Sequence, residues 1–384
     1  MRRILIASVH TFPRGGASAN YLQYLADALT DAGYEVTLLA CINPEYSSEE
    51  TIRFHGFTVK NIWCRSKSKV YNRIMNGLLF WKRIEWMVNK LNPTAEDVLM
   101  LDDSMCDIAF RIRDKTGAKV LGWPLEWFRK EDFESEAKAK QDNYFFEREG
   151  DKDLIFPISN HIAQHFIDRK CKIQVLPIMA DTMEIEYRPK ELSGRYKFIL
   201  TANGRMKDSL VEILKGMALL SDEERRKVEF HLTGTKEETV REILREEEYE
   251  KIRDCLVLHK WMKYEELVDL YRTVHFLFLA RDTNQMTLSN FPSKVPEAMT
   301  YGTVPVVSRV GDYTRIYLQD GVDSLIFDGC SAEACKSAFQ RALALSKEEY
   351  TVLSESARST AETKFDYRNW VGTIRNSIES IFLN

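Results

Sequence analysis

Two successive series of short apolar runs, each run followed by helical periodicity, constrain this chain more than any other feature. Residues 4–9 are apolar. The loop Thr11-Phe12-Pro13-Arg14-Gly15-Gly16 follows, and Leu22, Leu25, Leu29 and Ala32 then recur at helical spacing until Gly33 stops the helix. Residues 36–40 are the next apolar run. Strand, glycine-bearing loop, helix and strand make a βαβ unit, whose right-handed crossover returns the second strand parallel to the first. Further strands are predicted at 98–101, 120–123, 154–158 and 173–176. The pattern then restarts, with a strand at 198–202, a helix at 210–220, and strands at 228–233, 256–259, 276–280, 304–307 and 325–327.

Each series has the size of a domain, so the expectation is an α/β chain of two Rossmann-like, doubly wound domains, at 1–187 and 188–365. The polar run Glu186, Arg188, Pro189, Lys190, Glu191, Ser193 and Gly194 marks the expected boundary. Trp370, Ile374, Ile378, Ile381 and Phe382 form an apolar helical stripe after the second sheet is complete. The segment 366–384 is therefore expected to return to the N-terminal domain. At 384 residues and 44% hydrophobic, the chain can build cores without disulfides. Seven cysteines, odd in number and with no C-x-x-C pair, fit a reducing cytoplasm rather than a disulfide framework or a zinc site. A net charge of -4 without a basic tail argues against nucleic acid as partner. Ser8, His10 and Arg14 interrupt the first apolar run too early for a signal peptide, and no run of eighteen apolar residues exists.

The block NFPSKVPEAMTYGTVPVV at 290–307 resembles the donor-site signature of glycosyltransferase family 4. Four other segments are similar to that family, in its order: GGASANYLQYLADALTDAGYEVTLL, DLIFPISNHIAQHF with VLPIMADT, NGRMKDSLVEILKGMALL, and FDYRNWVGTIRNSI. The resemblance implies the GT-B architecture, with two domains facing a cleft. It also implies a nucleotide diphosphate-sugar donor on the C-terminal domain, a hydroxyl acceptor on the N-terminal one, and no metal or other cofactor. Retention of anomeric configuration follows, with the leaving diphosphate taking the acceptor proton and domain closure expelling water.

The same resemblance assigns roles residue by residue. Arg205 and Lys207, in the loop with Gly204, would hold the diphosphate and stabilise it as it leaves, although their spacing is shorter than the family's. Glu297 would accept hydrogen bonds from the ribose hydroxyls, a task suited to a group whose oxygens only accept. Lys294, after Ser293, would pair with Glu297 or reach a phosphate, and Arg281 would add a cation. The family's other glutamate is replaced by Ser289, beside Asn290, either of which would offer a neutral hydrogen bond to the donor sugar. Trp261 and Met262 would meet the nucleotide base or pack in the core.

On the acceptor side, Gly15 and Gly16 would let backbone N–H groups approach a sugar or anion. In GWPLEWF (122–128), Glu126 would orient a hydroxyl while Trp127 offers its ring to sugar C–H groups. Asp102-Asp103 reads as a solvated loop or an acceptor contact, and His161 and His165 as helical neighbours without a third metal ligand.

Residues 60–90 carry eight Lys and Arg against one acid, Glu85, interleaved with Trp63, Tyr71, Leu78, Trp81 and Trp86. That mixture suits a membrane surface bearing anionic lipid, hence a lipid-linked acceptor, or else a basic helix packed on its own domain. The expected location is cytoplasmic, with this segment touching the inner membrane face. Two other functions remain open at this stage: a GT-B epimerase or phosphorylase, and a non-catalytic nucleotide-sugar-binding protein.

Overall fold

The computed structural model describes residues 2–13, 16–184, 186–201 and 207–383. The chain divides into two compact units, Met1–Met179 with Tyr367–Asn384, and Ala180–Asp366.

Unit 1 is built on eight strands: β1 (Arg3–Phe12), β2 (Glu35–Ile42), β3 (Thr51–Phe54), β4 (Phe57–Asn61), β5 (Val98–Leu101), β6 (Lys119–Gly122), β7 (Leu154–Ile155) and β8 (Lys172–Ile173). Their order is β3-β4-β2-β1-β5-β6-β7-β8. Every pair is parallel except the β3–β4 hairpin. Covered on both faces, the central strands are near-continuous apolar runs. Leu5, Leu39, Leu99, Leu101 and Val120 pack with Ile84, Val88, Phe110 and Ile112 from the flanking helices.

The hairpin was not among the expected strands. Its signal is an alternation of Ile52 and Phe54 with Phe57 and Val59 across His55-Gly56. Both turn residues have positive φ (43° and 99°), as a two-residue hairpin turn requires.

Unit 2 has six parallel strands: β9 (Tyr196–Leu200), β10 (Val228–Thr233), β11 (Leu256–His259), β12 (Phe276–Leu279), β13 (Val304–Ser308) and β14 (Leu325–Phe327). Their order is β11-β10-β9-β12-β13-β14. Phe198, Phe230 and Phe278 on neighbouring strands meet Phe339 of the helix Ala332–Leu343, with Phe278 and Phe339 stacked at 4.2 Å, and Phe276 stacks on Phe198 (4.9 Å).

The division between units falls after Met179, upstream of the expected 187/188 boundary. The reason lies in Ala180 and Thr182, which are already tied to unit 2. Ala180 N donates to Phe365 O (2.8 Å), Thr182 N donates to the Asp366 carboxylate (3.0 Å), and Arg358 donates to Thr182 O (2.7 Å). The final helix, Val371–Ser380, is part of unit 1. It buries Ile374 and Ile378, Arg375 donates to Ala32 O (2.7 Å), and Tyr34 donates to the Glu379 carboxylate (2.9 Å). Among the described residues, no helix is long and apolar enough to cross a membrane.

In each sheet the chain winds one way from a central strand and then the other way from its neighbour. The reversal lies between β1 and β5 in unit 1, and between β9 and β12 in unit 2. Ligands of doubly wound sheets bind outside the carboxyl ends of the strands at such a switch point.

Candidate functional site

At the switch point of unit 2, β9 ends at Leu200 and β12 at Leu279. Arg281, two residues beyond β12, is fixed by Ser308 at the end of β13. The Arg281 N–H donates to Ser308 Oγ (2.7 Å), and Ser308 Oγ donates back to Arg281 O (3.0 Å). The guanidinium then reaches Asp208, Nε to Oδ1 at 2.8 Å, and Asn290 Oδ1 at 2.9 Å. Lys294 bonds the other oxygen of Asp208, and its Nζ also donates to Thr201 O (2.8 Å) just past β9. All three charged side chains are largely out of water, with exposures of 3% for Arg281, 6% for Asp208 and 13% for Lys294.

Among the described residues, these ion pairs join two cations to one carboxylate. Burial pushes the Asp208 carboxyl up, but Lys294 and Arg281 outweigh it and hold Asp208 below the usual range. Burial likewise lowers Lys294, partly offset by Asp208, with Arg281 and Lys207 repelling it further. Lys207 therefore stands close enough for its charge to act on the cluster. A buried cation in excess is costly unless an anion completes it.

Lys294 and Glu297 lie on the helix Lys294–Thr300, three residues apart and hence on one face. Pro296 is tolerated because it sits in the first turn, where its missing N–H has no intrahelical partner. Gly302 ends this segment at φ 66°. A Cβ there would lie 2.7 Å from Tyr187 and 2.9 Å from Ser354, so no side chain fits.

Glu297 is half-buried, and the buried phenol of Tyr271 favours its ionised form. Burial raises its carboxyl to about 7, against the pull of Tyr271 and of Lys294. Lys294 thus acts on Glu297 through its charge while its hydrogen bonds go to Asp208 and Thr201, not to Glu297 as one expectation had it.

The remaining donor-side residues fare differently. Ser289 is wholly buried and donates to Met286 O (3.0 Å), and the Asn290 oxygen serves Arg281. Ser293 precedes the helix without capping it through its side chain. Trp261 is 87% exposed beyond β11, so its ring is not core packing, and Met262 beside it is half-buried. Arg205, Gly204 and Gly15 lie outside the described residues.

The switch point of unit 1 has the opposite character. Asp102 follows β5 and closes onto β1: its Oδ2 accepts from Val9 N (2.6 Å), and its N–H donates to Ala7 O (2.9 Å). It is 7% exposed, so the expectation of a solvated loop is corrected. Burial drives its carboxyl up to about 6, against the Val9 N–H and His10 and with Asp103 pushing the same way. Asp142 is likewise raised to about 6, by burial first and then by Asp103 and Glu126. Buried Glu149, paired with Lys152, is raised by burial and feels Asp103 and Asp102. Glu126 is therefore one of a group of acids.

Trp127 is half-buried. It stacks on Phe146 (5.1 Å) and packs against His165 (4.5 Å), while His165 bonds Glu147 at 2.7 Å. Gly16 takes φ 107° ahead of the helix Ala17–Asp31, a conformation that favours glycine, with open space where a Cβ would stand. Sequence reasoning missed Asp208, although its place directly after Lys207 in the loop beyond β9 was a usable signal.

Residues 184–360, nearly all of unit 2, match the family Glycosyl transferases group 1. No curated relative matches the sequence. Among solved structures, HepE from Anabaena in complex with UDP and glucose superposes with a TM-score of 0.73 at 11% identity, over 99% of this chain and 100% of that one. Sucrose-phosphate synthase from Thermosynechococcus elongatus gives 0.69 at 14% identity, over 100% and 99%. An α,α-trehalose-phosphate synthase (UDP-forming) from Burkholderia xenovorans, in complex with glucose-6-phosphate, gives 0.69 at 15%, over 98% and 100%. At these identities the likeness is one of fold, and the fold is the two-unit, doubly wound GT-B architecture.

Proposed function

We propose that this chain is a glycosyltransferase that takes a sugar from a nucleotide diphosphate-sugar. The observation that carries this reading is the cluster at the unit 2 switch point, where Arg281 and Lys294 share the single carboxylate of Asp208. A diphosphate is the kind of anion that completes such a cluster, through charge-assisted hydrogen bonds in a site with little water. Glu297, on the same helix face as Lys294, is the acceptor-only group for the ribose hydroxyls. The family match over residues 184–360 supports the same assignment for this unit.

In the proposed reaction an acceptor hydroxyl attacks the anomeric carbon as the bond from that carbon to the phosphate oxygen breaks. The proton passes to the leaving diphosphate, and attack on the face of departure retains configuration. Lys207, Lys294 and Arg281 stabilise the charge that develops on the leaving group, the role a divalent ion would otherwise fill, so transfer proceeds without a metal. Glu126 orients the acceptor, which is a sugar or a lipid-linked sugar. Assembly of a polysaccharide or glycoconjugate in the cytoplasm is the setting this reading suits.

The test is thermal unfolding against a panel of nucleotide-sugars. One donor is expected to raise Tm, and Glu297→Ala to abolish that rise. An undiminished rise in the variant removes Glu297 from the site. Nucleotide release only when an acceptor is present separates a transferase from a binding protein.

A further inference from the structure

The segment Lys69–Leu78 of unit 1 is helical, one α-helix (Lys69–Arg73) running into a wider turn (Ile74–Leu78), and it buries none of its residues. Short helices are stable in proteins because they pack an apolar face. Here the apolar residues point outward: Val70 is 70% exposed and Leu78 87%, with Tyr71 and Ile74 also in water. Polar ties hold the segment instead. Ser68 caps it, Asn72 bonds the backbone of Ser66 in both directions (2.8 Å each), and Asn76 does the same for Cys64 (2.7 and 2.9 Å).

The next helix, Phe80–Lys90, buries Phe80, Ile84 and Val88 in the unit 1 core and leaves Trp81 and Trp86 exposed. Trp63 and Trp81 flank Phe80, with ring centroids 6.3 and 5.0 Å from it, so these three rings are contiguous. Lys67, Lys69, Arg73, Lys82 and Lys90 are exposed around them, and the segment's one acid, Glu85, is taken up by Arg111 (2.8 Å). The surface therefore interleaves exposed apolar side chains with cations, on a chain whose net charge is negative.

We propose that residues 63–90 form a docking surface for an anionic lipid bilayer. Leu78, Val70, Ile74 and Trp81 enter the headgroup boundary, and the lysines meet the lipid phosphates. A neutral apolar partner would leave these cations without a counterpart. An acidic soluble partner would leave the exposed Leu and Trp in water.

The experiment is co-sedimentation of the full chain with vesicles of phosphatidylcholine alone, or of phosphatidylcholine mixed with phosphatidylglycerol, at about 0.1 M and about 0.5 M salt. Binding is expected to the mixed vesicles only and to weaken at the higher salt. Lys67→Gln, Lys69→Gln and Lys82→Gln together should lower the partition coefficient on the order of a hundredfold, at roughly fivefold per lysine. Leu78→Ser with Trp81→Ser should abolish binding while the charge is intact. Both variants change exposed positions, and an unaltered Tm certifies the fold. No sedimentation with anionic vesicles, equal binding to neutral ones, or indifference to either variant overturns the proposal. So does a wild-type dimer that the Leu78→Ser, Trp81→Ser variant dissolves without any vesicle binding, since the patch would then serve a second copy of the chain.

Discussion

The two switch points share a topology and differ in sign. Beyond β9 and β12, two cations converge on one carboxylate, with Lys207 within electrostatic reach. Beyond β1 and β5, Asp102 is locked to the Val9 N–H, and burial raises the carboxyls of Asp102, Asp142 and Glu149, with the charge of Asp103 pushing each the same way. A doubly wound sheet offers a crevice at this point whatever its sequence; the side chains decide what enters it. A cationic crevice suits a diphosphate. An acidic one repels phosphate and suits hydroxyls, which donate to carboxylates. One comparison structure is in complex with glucose-6-phosphate; on the function proposed for this chain, the acids of unit 1 predict an uncharged or amino-bearing acceptor instead.

The largest effects are expected where the cationic side is broken. Lys294→Met removes one of two cations yet leaves Asp208 paired with Arg281. Nucleotide-sugar affinity should then fall on the order of a hundredfold or more, with little change in the stability of the free protein. Asp208→Ala has the reverse signature. It leaves two buried cations without their carboxylate, at a cost of about 3–5 kcal/mol in urea unfolding. A nucleotide diphosphate should restore part of this loss, so its stabilising increment grows in the variant. An increment that stays as in the wild type would mean that the cluster merely braces the sheet.

A second effect, smaller and graded, comes from Glu297. Its carboxyl sits at about 7 in the free protein, raised by burial. Accepting from two ribose hydroxyls favours the ionised form, so binding expels the proton. Affinity for a nucleotide-sugar, whose bridging phosphates do not titrate near neutrality, should be flat above pH 7. Below pH 7 it should fall by up to about tenfold per unit. Calorimetry in buffers of different ionisation enthalpy reads the released proton. Glu297→Gln should flatten the profile, and an unaltered profile would place the titrating group elsewhere.

Much of this was legible in the sequence, for identifiable reasons. Strands such as Val98–Leu101 and Phe276–Leu279 are fully buried and so read as apolar runs, and the order of runs and helices fixes a parallel, doubly wound sheet. The β3–β4 hairpin escaped because its outward residues Thr51, Arg53, Thr58 and Lys60 dilute the apolar signal on a half-exposed edge. Lys294 could be named from the donor motif, and Arg281 from its place after the strand at 276–280. Asp208 directly follows Lys207 and so was within reach, but its role in organising them was not, because the contacts span 73 and 86 residues of chain. For the same reason nothing local announces that the Trp127 ring will pack on Phe146 and His165.

The acidic side gives the smallest effect and the most selective one. Asp102 has its carboxyl raised to about 6 by burial, well above the value of about 3.9 in an unfolded chain. The folded state thus holds a proton that the unfolded state releases between those values. The stability this group provides is complete below about pH 4 and is lost as pH rises through 6, by up to about 3 kcal/mol. Asp102→Asn keeps an oxygen to accept from Val9 and removes the titration, so the fall in urea stability between pH 4 and pH 7 should be shallower in the variant. If Asp102 also shapes the acceptor site, the variant raises KM for an uncharged acceptor a few-fold. Its nucleotide-sugar affinity should not change, because that site belongs to unit 2. A variant that weakens both substrates equally would break the assignment of one charge to each crevice. A phosphorylated acceptor used as well as an uncharged one by the wild type would break it more directly, since the carboxylates beyond β5 and β6 would then be no barrier to an anion.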